Sequence, residues 1–339
     1  MSTVEELAGR LELWSHSVHG DEARVWNVRS LGGHSGVTIG FDIVLSGESF
    51  ERLVLKIPPA GVARQNNYDV LRMVPLLKTL AKHSILAPQA RYWGEDESFF
   101  GAPYLMMSRL QGSAMPDLFG PDAGKGAVDA DRQFADAIDT LAQIHAIDAG
   151  ELTGWNHIRL APAEIDHWVT VLNKSDDPAW IAKGMDVRDL LRRTMPRDIP
   201  FGIVHGDYYT NNWIYDGGRF TGAVDWEGAS LGPKLIDLGW LCMMYDAEGW
   251  GPTRRRTMGW HPGPDVFIAH YARRTGADLS DIAWYRALGA YRLACITAYY
   301  LERHRSGKRH NPIWEVFGES FPYLLDRAAA LLRRRVAAA

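Results

Sequence analysis

Three polar residues in the middle of the chain have the types and the spacing that phosphoryl transfer requires. Asp207 follows the apolar run 201–204, four residues separate it from Asn212, and Asp225 comes eighteen positions after Asp207. In this reaction a carboxylate orients the attacking hydroxyl and accepts its proton, while an amide and a second carboxylate hold Mg2+ on the nucleotide phosphates. The spacing predicts Asp207 as the catalytic carboxylate and Asn212 and Asp225 as Mg2+ ligands.

A hairpin is expected to bring these residues together. After Asn212, the apolar stretches 213–215 and 220–224 flank the turn 216–219, whose centre is Gly-Gly. Two glycines between apolar stretches are a strong signal for a tight β-hairpin turn. We therefore expect the hairpin to return Asp225 to the side of Asn212. All three residues would then meet around a magnesium-bound triphosphate in a cleft between two lobes.

The pattern His-Gly-Asp-x-x-x-x-Asn over 205–212, followed by Asp-Trp-Glu at 225–227, resembles the aminoglycoside phosphotransferase family of small-molecule kinases. That family also includes choline, fructosamine and homoserine kinase-like enzymes. The resemblance implies a bilobal protein kinase-like α+β fold, with a small antiparallel-sheet N-lobe and a larger, mainly helical C-lobe. It also implies transfer of the γ-phosphoryl group of ATP to a hydroxyl of a small molecule, with ATP and Mg2+ as cofactors.

A glycine-rich turn near the amino terminus fits the phosphate-binding part of such a site. Residues 32–36 separate two strand-like stretches, and a third stretch ends at Lys56 and Ile57. Glycine lacks a Cβ, so backbone N–H groups can approach phosphates closely. A lysine late in the third strand is where kinases place the ammonium that pairs with phosphates. We expect Gly33, Ser35 and Lys56 to bind the nucleotide.

The expected partner of this lysine is missing. Kinase-like folds hold the strand lysine with a glutamate from the next helix, which the apolar periodicity predicts over 64–82. No glutamate lies between Glu51 and Glu95. Asn67 falls where the family has its glutamate, and Asp69 is the nearest carboxylate. Asp69 is therefore the candidate partner, unless Lys56 is held in another way.

The segment Pro103 to Gly112 resembles the strand that leads into the connection between lobes in this family. The resemblance implies that the backbone at Ser108 and Leu110 binds the adenine edge. It divides the chain into a nucleotide-binding lobe, 1–110, and a catalytic and substrate-binding lobe, 111–339.

Three further polar residues are expected to support the structure rather than the chemistry. The resemblance implies that His205 braces the catalytic loop and that Asp237 hydrogen-bonds it. His145 ends a long amphipathic helix predicted over 128–146, and it is interpreted as a buried core histidine.

The amino-acid composition limits the kinds of partner and location that we expect for the protein. The 339 residues are 46% hydrophobic and 23% charged, with a net charge of -4, which gives no indication of a nucleic-acid partner. Only two cysteines are present, so a reducing compartment fits. The amino terminus lacks the apolar run of a signal peptide, and no stretch of about 18 apolar residues predicts a membrane span. We expect a cytoplasmic protein, a monomer or a homodimer.

The motifs leave the acceptor open, whether an aminoglycoside-like compound, a sugar, an amino alcohol or another metabolite. Aminoglycosides are polycations, and Glu227, Asp246 and Glu248 are the carboxylates near the predicted loop. The rings of Tyr208 and Trp240 would suit an apolar ligand, a sugar or a quaternary ammonium. Glu227, Tyr208 and Trp240 are predicted to line the substrate pocket, and core packing is the alternative explanation for the rings.

Two other functions share part of this motif set. A protein kinase is disfavoured because Asp237 follows Asp225 within a dozen residues, which leaves no long activation loop, and no Ala-Pro-Glu follows. A catalytically silent nucleotide-binding regulator is the alternative. The missing helix glutamate favours it, whereas the intact Asp207, Asn212 and Asp225 oppose it.

Overall fold

Two compact units make up the chain. The first contains Met1–Gly112, Gly150–Asn156 and Thr221–Gly228, and the second contains Ser113–Ala149, His157–Phe220 and Ala229–Ala339. The computed structural model describes residues 4–32, 36–59, 61–62, 68–115, 129–259 and 261–338, except the side chains of residues 49 and 336–338. The division into lobes at residue 110 stays a prediction.

Alternating apolar residues build an antiparallel sheet in the first unit. Its strands are β1 (Arg24–Ser30), β2 (Val37–Leu45), β3 (Glu48–Ile57), β4 (Ala90–Gly94) and β5 (Tyr104–Ser108). Their order in the sheet is β1-β2-β3-β5-β4. Because side chains alternate along a strand, Leu53, Leu55 and Ile57 lie on one buried face of β3, and Lys56 lies on the other.

Helix α1 (Val4–His19) covers the buried face of this sheet. Its Leu7, Leu11 and Trp14 pack into the same core cluster as Leu55. The sequence predicts this helix over 3–16. It continues to His19 because Gly20, with φ of 89°, adopts the left-handed conformation that ends the helix.

A short helical segment follows the sheet's first three strands. Within the part of the predicted 64–82 helix that the structure describes, a 3-10 turn spans Val70–Arg72 and helix α2 spans Met73–Lys82. Asn67 lies outside the described residues. The carboxylate of Asp69 accepts a hydrogen bond from the N–H of Leu71 (3.2 Å), so it caps the 3-10 turn.

The second unit is mainly helical, as expected. Its helices are α3 (Ala130–Ala146), α4 (Ala161–Leu172), α5 (Pro178–Arg193), α6 (Leu235–Met244), α7 (Pro252–Thr257), α8 (Pro264–Thr275), α9 (Ile282–Arg305) and α10 (Ile313–Ala338). Short strands β6 (Ser113–Ala114) and β8 (Trp213–Asp216) pair in this unit. Strand β9 (Arg219–Ala223) follows β8 in the sheet order β6-β8-β9, and its last three residues belong to the first unit. Strands β7 (Phe201–Val204) and β10 (Ser230–Pro233) form an antiparallel pair. The sequence patterns do not predict strand β10.

Two glycines let α6 and α9 cross with their backbones close together. A Cβ at Gly239 would lie 2.5 Å from the backbone of Tyr285, and one at Gly289 would lie 3.2 Å from the carbonyl oxygen of Gly239. Only glycine fits at the first position without a shift of the backbone. This crossing fixes the start of α6, which carries Asp237. No helix among the described residues has the length and apolar character needed to cross a membrane.

Candidate active site

The loop after β7 is fixed by one buried carboxylate. Asp237, which is fully buried, accepts hydrogen bonds from the backbone N–H groups of His205 (2.7 Å) and Gly206 (2.8 Å). Gly206 has φ of 86°, a left-handed conformation that glycine adopts without strain. This clamp is the one that the resemblance implied for Asp237. It sets the direction in which the chain presents Asp207.

His145 supports the clamp from the end of α3. Its ring is buried, with Nε2 3.4 Å from Oδ2 of Asp237 and Nδ1 2.8 Å from the hydroxyl of Tyr271. Burial lowers the pKa of His145 below its usual 6.5, although the bond to Asp237 opposes this shift. The histidine is therefore held neutral, donating to Asp237 and accepting from Tyr271, and its role is structural, as the sequence indicated.

The lowered pKa of His145 gives a prediction for stability. Below pH 6.5 the unfolded chain binds a proton at this histidine before the folded protein does, so the free energy of unfolding falls as pH drops below 6.5. The slope from one such group reaches at most about 1.4 kcal/mol per pH unit. Urea unfolding between pH 7.5 and pH 5.5 measures it. The His145→Gln variant should start less stable and show a shallower slope; equal slopes would contradict this origin.

Asn212 is joined to Asp207. Its Nδ2 donates to the backbone oxygen of Asp207 (2.8 Å) and to Oδ2 of the same residue (3.0 Å). The N–H of Asp207 donates to Nδ1 of His205 (3.2 Å), which is how His205 braces the loop. Since both bonds use the amide nitrogen of Asn212, its side-chain oxygen is the atom that would bind a cation, and oxygen is what Mg2+ prefers. The donor set therefore fits the cation.

Asp225 lies in the first unit and has an unusual backbone. Its φ of 64° is in the left-handed region, which costs a non-glycine residue about 1–3 kcal/mol. Its side chain is 48% exposed, and Oδ1 lies 3.6 Å from Nζ of Lys56. Strain of this kind persists where the surrounding structure imposes it, often at functional positions. The carboxylate is accessible to a cation, as its predicted role requires.

The structure pairs Lys56 with a carboxylate other than Asp69. Nζ of Lys56 forms an ion pair with the carboxylate of Glu227, and both side chains are largely buried. Arg72 donates to the backbone oxygen of Glu227, and the carbonyl of Arg72 accepts from Trp155 Nε1 (2.8 Å). Burial lowers the pKa of Lys56, and Asp225 opposes this shift. Glu227 therefore supplies the carboxylate that pairs with Lys56.

This pairing corrects the interpretation of two residues. Glu227 was assigned to the substrate pocket, but its carboxylate is committed to Lys56. Asp69 was the candidate partner of Lys56, but its carboxylate caps the 3-10 turn through Leu71. The partner of Lys56 comes from the Asp-Trp-Glu segment at 225–227, more than a hundred residues after the lysine, and not from the helix after β3.

We expect Glu227→Gln to lower kcat/KM for the nucleotide about tenfold or more, because a largely buried ammonium loses its charged partner. Asp69→Asn makes the matched change at the other candidate, and asparagine still caps a turn. It should change kcat/KM less than about threefold. Initial rates against nucleotide concentration measure both. A larger loss for Asp69→Asn than for Glu227→Gln would assign the lysine to Asp69.

The structure describes only some of the other residues that are predicted to bind the nucleotide. Gly33 and Ser35 lie outside the described residues. Gly36 is tightly placed, since a Cβ there would lie 2.4 Å from the carbonyl oxygen of Ile57. The N–H of Ser108 donates to Gln89 (2.9 Å) within the sheet, so an adenine contact at Ser108 would have to use its carbonyl.

The segment after β5 is braced by a buried ion pair. Arg109 Nη2 lies 2.6 Å from Oδ1 of Asp42, whose Oδ2 accepts from the side chain of Asn27 (2.8 Å). The N–H of Arg109 donates to the carbonyl of Arg52 (2.9 Å). This bracing fixes the backbone around Leu110, for which adenine binding stays a prediction.

The two predicted pocket rings are packed into the core. Tyr208 is fully buried and its hydroxyl donates to the carbonyl of Ala137 (2.7 Å). Trp240 is 4% exposed, and the guanidinium of Arg292 lies 4.1 Å from its ring centre. A ring buried to this extent presents no open face to a quaternary ammonium or to an apolar ligand. The alternative explanation, core packing, therefore describes both rings, and an aromatic pocket wall is not supported.

The other acidic candidates are neutralised within the second unit. Asp246 is buried, and its Oδ2 lies 2.8 Å from both Arg286 and Arg327. Glu248 forms an ion pair with Arg327 as well. The buried Asp246 is a poor partner for a polycationic ligand, because it would have to give up its own arginines first. The carboxylate of Glu248 is 67% exposed, and an ion pair at such a position contributes little.

Solved structures give the class of fold. A Ralstonia eutropha protein assigned to the aminoglycoside phosphotransferases superposes with a TM-score of 0.74, at 20% identity, covering 96% of this chain and 98% of that one. A choline/ethanolamine kinase family protein from Mesorhizobium loti gives 0.59, at 16% identity, covering 97% and 99%. A thermostable mutant of the aminoglycoside phosphotransferase APH(4)-Ia, solved with ADP and hygromycin B, also gives 0.59, at 16% identity, covering 95% and 98%. The fold is protein kinase-like.

The sequence profile of the phosphotransferase enzyme family matches residues 41–288. The chain therefore belongs to this family, as the motifs predicted. Curated relatives include acyl-CoA dehydrogenase family member 11 from Gallus gallus, 23% identical over 300 residues. An Arabidopsis thaliana protein named for an acyl-CoA dehydrogenase activity (IBR3) is 25% identical over 213 residues. Hygromycin-B 4-O-kinase from Escherichia coli is 24% identical over 207 residues.

The matches differ in how much of each protein they span. The match to the chicken protein covers 83% of this chain and 38% of that protein. The match to the Arabidopsis protein covers 59% of this chain and 26% of that protein. The match to the E. coli kinase covers 53% of this chain and 59% of that protein. This chain thus spans well under half the length of the two relatives with acyl-CoA dehydrogenase names.

Proposed function

We propose that the protein transfers the γ-phosphoryl group of ATP to a hydroxyl of a small molecule in a reaction that requires Mg2+. The observation that supports this most is the fixed pair of Asp207 and Asn212, with Asp237 clamping the backbone before them. A loop held this rigidly suits a reaction in which positioning and charge stabilisation do most of the work.

Each residue has a proposed role. Asp207 orients the acceptor hydroxyl and takes its proton. Asn212 and Asp225 would hold Mg2+, which when bound neutralises charge on the phosphates. Lys56, positioned by Glu227, pairs with the phosphates. Gly33, Ser35, and the backbone of Ser108 and Leu110 complete the nucleotide-binding set of the proposal.

The regulator alternative loses its support in this arrangement. It rested on the missing helix glutamate, and Glu227 supplies a carboxylate to Lys56. A cytoplasmic location remains part of the proposal, because ATP is available there and both cysteines, Cys242 and Cys295, are free.

For the acceptor we propose a hydroxylated acyl thioester of coenzyme A. The buried carboxylates of Asp246 and Glu227 are paired with the chain's own cations, which disfavours a polycationic aminoglycoside. Two relatives that this chain matches carry acyl-CoA dehydrogenase names, and most of their length lies outside the match. A kinase segment joined to such an enzyme is most simply explained if both act on acyl-CoA, and the kinase needs a hydroxyl on it.

Acceptor-dependent release of ADP tests this proposal. Hydroxyacyl-CoA compounds with the hydroxyl at different carbons are compared with hygromycin B, choline and simple sugars, at fixed ATP and Mg2+. We expect at least one hydroxyacyl-CoA to stimulate ADP release well above all other compounds, while its non-hydroxylated analogue does not. Stimulation by hygromycin B alone would overturn the acyl-CoA assignment and keep the phosphotransferase.

A further inference from the structure

The end of α9 and the turn after it form a basic surface. Residues 303–310 contain four arginine or lysine residues and two histidines, in a chain with 37 basic residues among 339. Two carboxylates take part of this charge: Glu315 binds Arg305 through two contacts (2.8 and 2.6 Å), and Glu302 lies 3.4 Å from Lys308.

The other cations of this surface lie on aromatic rings. Lys174, from the segment between α4 and α5, and Arg303 both lie over the ring of Tyr299, at 5.1 and 5.5 Å from its centre. Neither forms an ion pair with a carboxylate among the residues that the structure describes. The guanidinium of Arg309 lies 5.4 Å from the ring centre of Tyr300. Lys174 and Arg303 have no carboxylate partner among the described residues, so their positive charges are available to attract an anionic ligand.

The rings themselves form a stack. Tyr300 and Trp314 lie 4.8 Å apart with their planes 16° from parallel, and both are partly exposed. Basic residues at a helix C-terminus are favoured by the helix dipole, which accounts for Arg303 and Arg305. The dipole does not account for a lysine from another segment or for aromatic rings at the same place.

The combination has a specific chemistry. Planar bases stack on aromatic side chains, while arginine and lysine bind phosphate oxygens. A ligand that needs both is a nucleotide with several phosphates. The adenosine end of coenzyme A fits, because it carries a 5′-diphosphate and a 3′-phosphate on one side of a planar base.

We propose that this surface, made by Lys174, Tyr299, Tyr300, Arg303, Arg309 and Trp314, binds the phosphorylated adenosine end of an acyl-CoA acceptor. The inference rests on the proposed function and assigns the acceptor's CoA portion to a place on the second unit. It leaves the reacting hydroxyl to Asp207.

Calorimetric titration with coenzyme A tests the site directly. A non-hydrolysable ATP analogue with Mg2+ is kept saturating, so that coenzyme A cannot report on the ATP site. We expect the double variant Lys174→Glu/Arg303→Glu to weaken coenzyme A binding about tenfold or more, because two attractive charges become repulsive. 3′-Dephospho-coenzyme A should bind more weakly than coenzyme A to the unmodified protein.

A matched control carries the same charge change elsewhere. Arg333 and Arg334 are exposed near the end of α10, about 28 Å along the helix from Trp314 at 1.5 Å per residue. Arg333→Glu/Arg334→Glu should leave coenzyme A affinity within about twofold, since screening weakens charges at that distance. In turnover assays, the Lys174→Glu/Arg303→Glu variant should have a higher KM for the hydroxyacyl-CoA and an unchanged kcat. This combination indicates the loss of a contact that binds the substrate and the transition state equally well.

The outcomes separate the two proposals. Equal affinities for coenzyme A in the test and control variants, or no binding by the unmodified protein, would overturn this site. Binding of a single-stranded RNA oligonucleotide without binding of coenzyme A would overturn it too. Phosphorylation of another acceptor would then leave the phosphotransferase standing. Coenzyme A binding that depends on Arg303 in a protein without turnover would keep the site and reject the reaction.

Discussion

Asp207→Asn should lower the rate of phosphoryl transfer about 10³-fold, the typical effect of losing a general base, while nucleotide affinity changes little. The carboxylate is proposed to orient the acceptor hydroxyl and accept its proton, and an amide cannot accept a proton at neutral pH. Asparagine keeps the shape of the side chain and the oxygen that accepts from Asn212. Acceptor-dependent ADP release measures the rate, and calorimetric titration with ATP measures the affinity.

Asp216→Asn is the matched control for this variant. Asp216 ends β8 and is partly exposed, so the same chemical change there should keep the rate within about twofold. Thermal unfolding confirms that both variants are folded. A rate for Asp207→Asn near that of the unmodified protein would show that Asp207 is not the general base.

Asp225→Asn should remove most of the Mg2+ dependence of nucleotide binding. The carboxylate is proposed to share the cation with Asn212, and a neutral amide oxygen attracts Mg2+ far less strongly. Asparagine is the informative substitution, because it tolerates the left-handed backbone that Asp225 adopts at φ of 64°. We expect Mg2+ to tighten ATP binding at least about tenfold in the unmodified protein and less than about twofold in the variant.

Asp129→Asn controls for the backbone conformation. Asp129 also has a left-handed backbone, with φ of 57°, and caps α3 by accepting from Arg132. Asparagine is an equally good cap, so this variant should keep both its stability and the full Mg2+ effect. Calorimetric titration with ATP, with and without Mg2+, measures the Mg2+ effect in both variants. An unchanged Mg2+ effect in Asp225→Asn would remove that residue from the metal site.

Local patterns predicted much of the architecture. Alternation located β2 and β3 and assigned Lys56 to the face opposite Leu53 and Leu55. The Gly-Gly pair predicted the turn between β8 and β9, where Gly217 and Gly218 have φ of 55° and 83°. These features depend on neighbouring residues, so one sequence is enough to identify them.

Features that depend on distant contacts were not predictable in this way. Glu227 reaches Lys56 from more than a hundred residues further along the chain. Tyr208 directly follows Asp207, yet its ring is buried and its hydroxyl donates to the carbonyl of Ala137. Asp246 has no basic neighbour in sequence, and its partners Arg286 and Arg327 come from α9 and α10. In each case tertiary packing selects the partner.

Glu227 connects the strand lysine Lys56 with the segment before α2. In the described part of the chain, Arg72 links the segment before α2 to the backbone of Glu227. The turn that carries Asp225 is therefore tied to the strand lysine on one side and to the start of α2 on the other. A change at Glu227 is expected to disturb both Lys56 and the neighbouring Asp225, which lies 3.6 Å from the lysine.

Phosphorus NMR of a reaction with ATP, Mg2+ and a hydroxyacyl-CoA panel tests the central claim most directly. Our account predicts a new phosphomonoester signal that appears together with an equal amount of ADP, and its absence with Asp207→Asn. The contradicting result is ATP that stays intact with every hydroxylated acceptor, or a product that forms equally well without the Asp207 carboxylate.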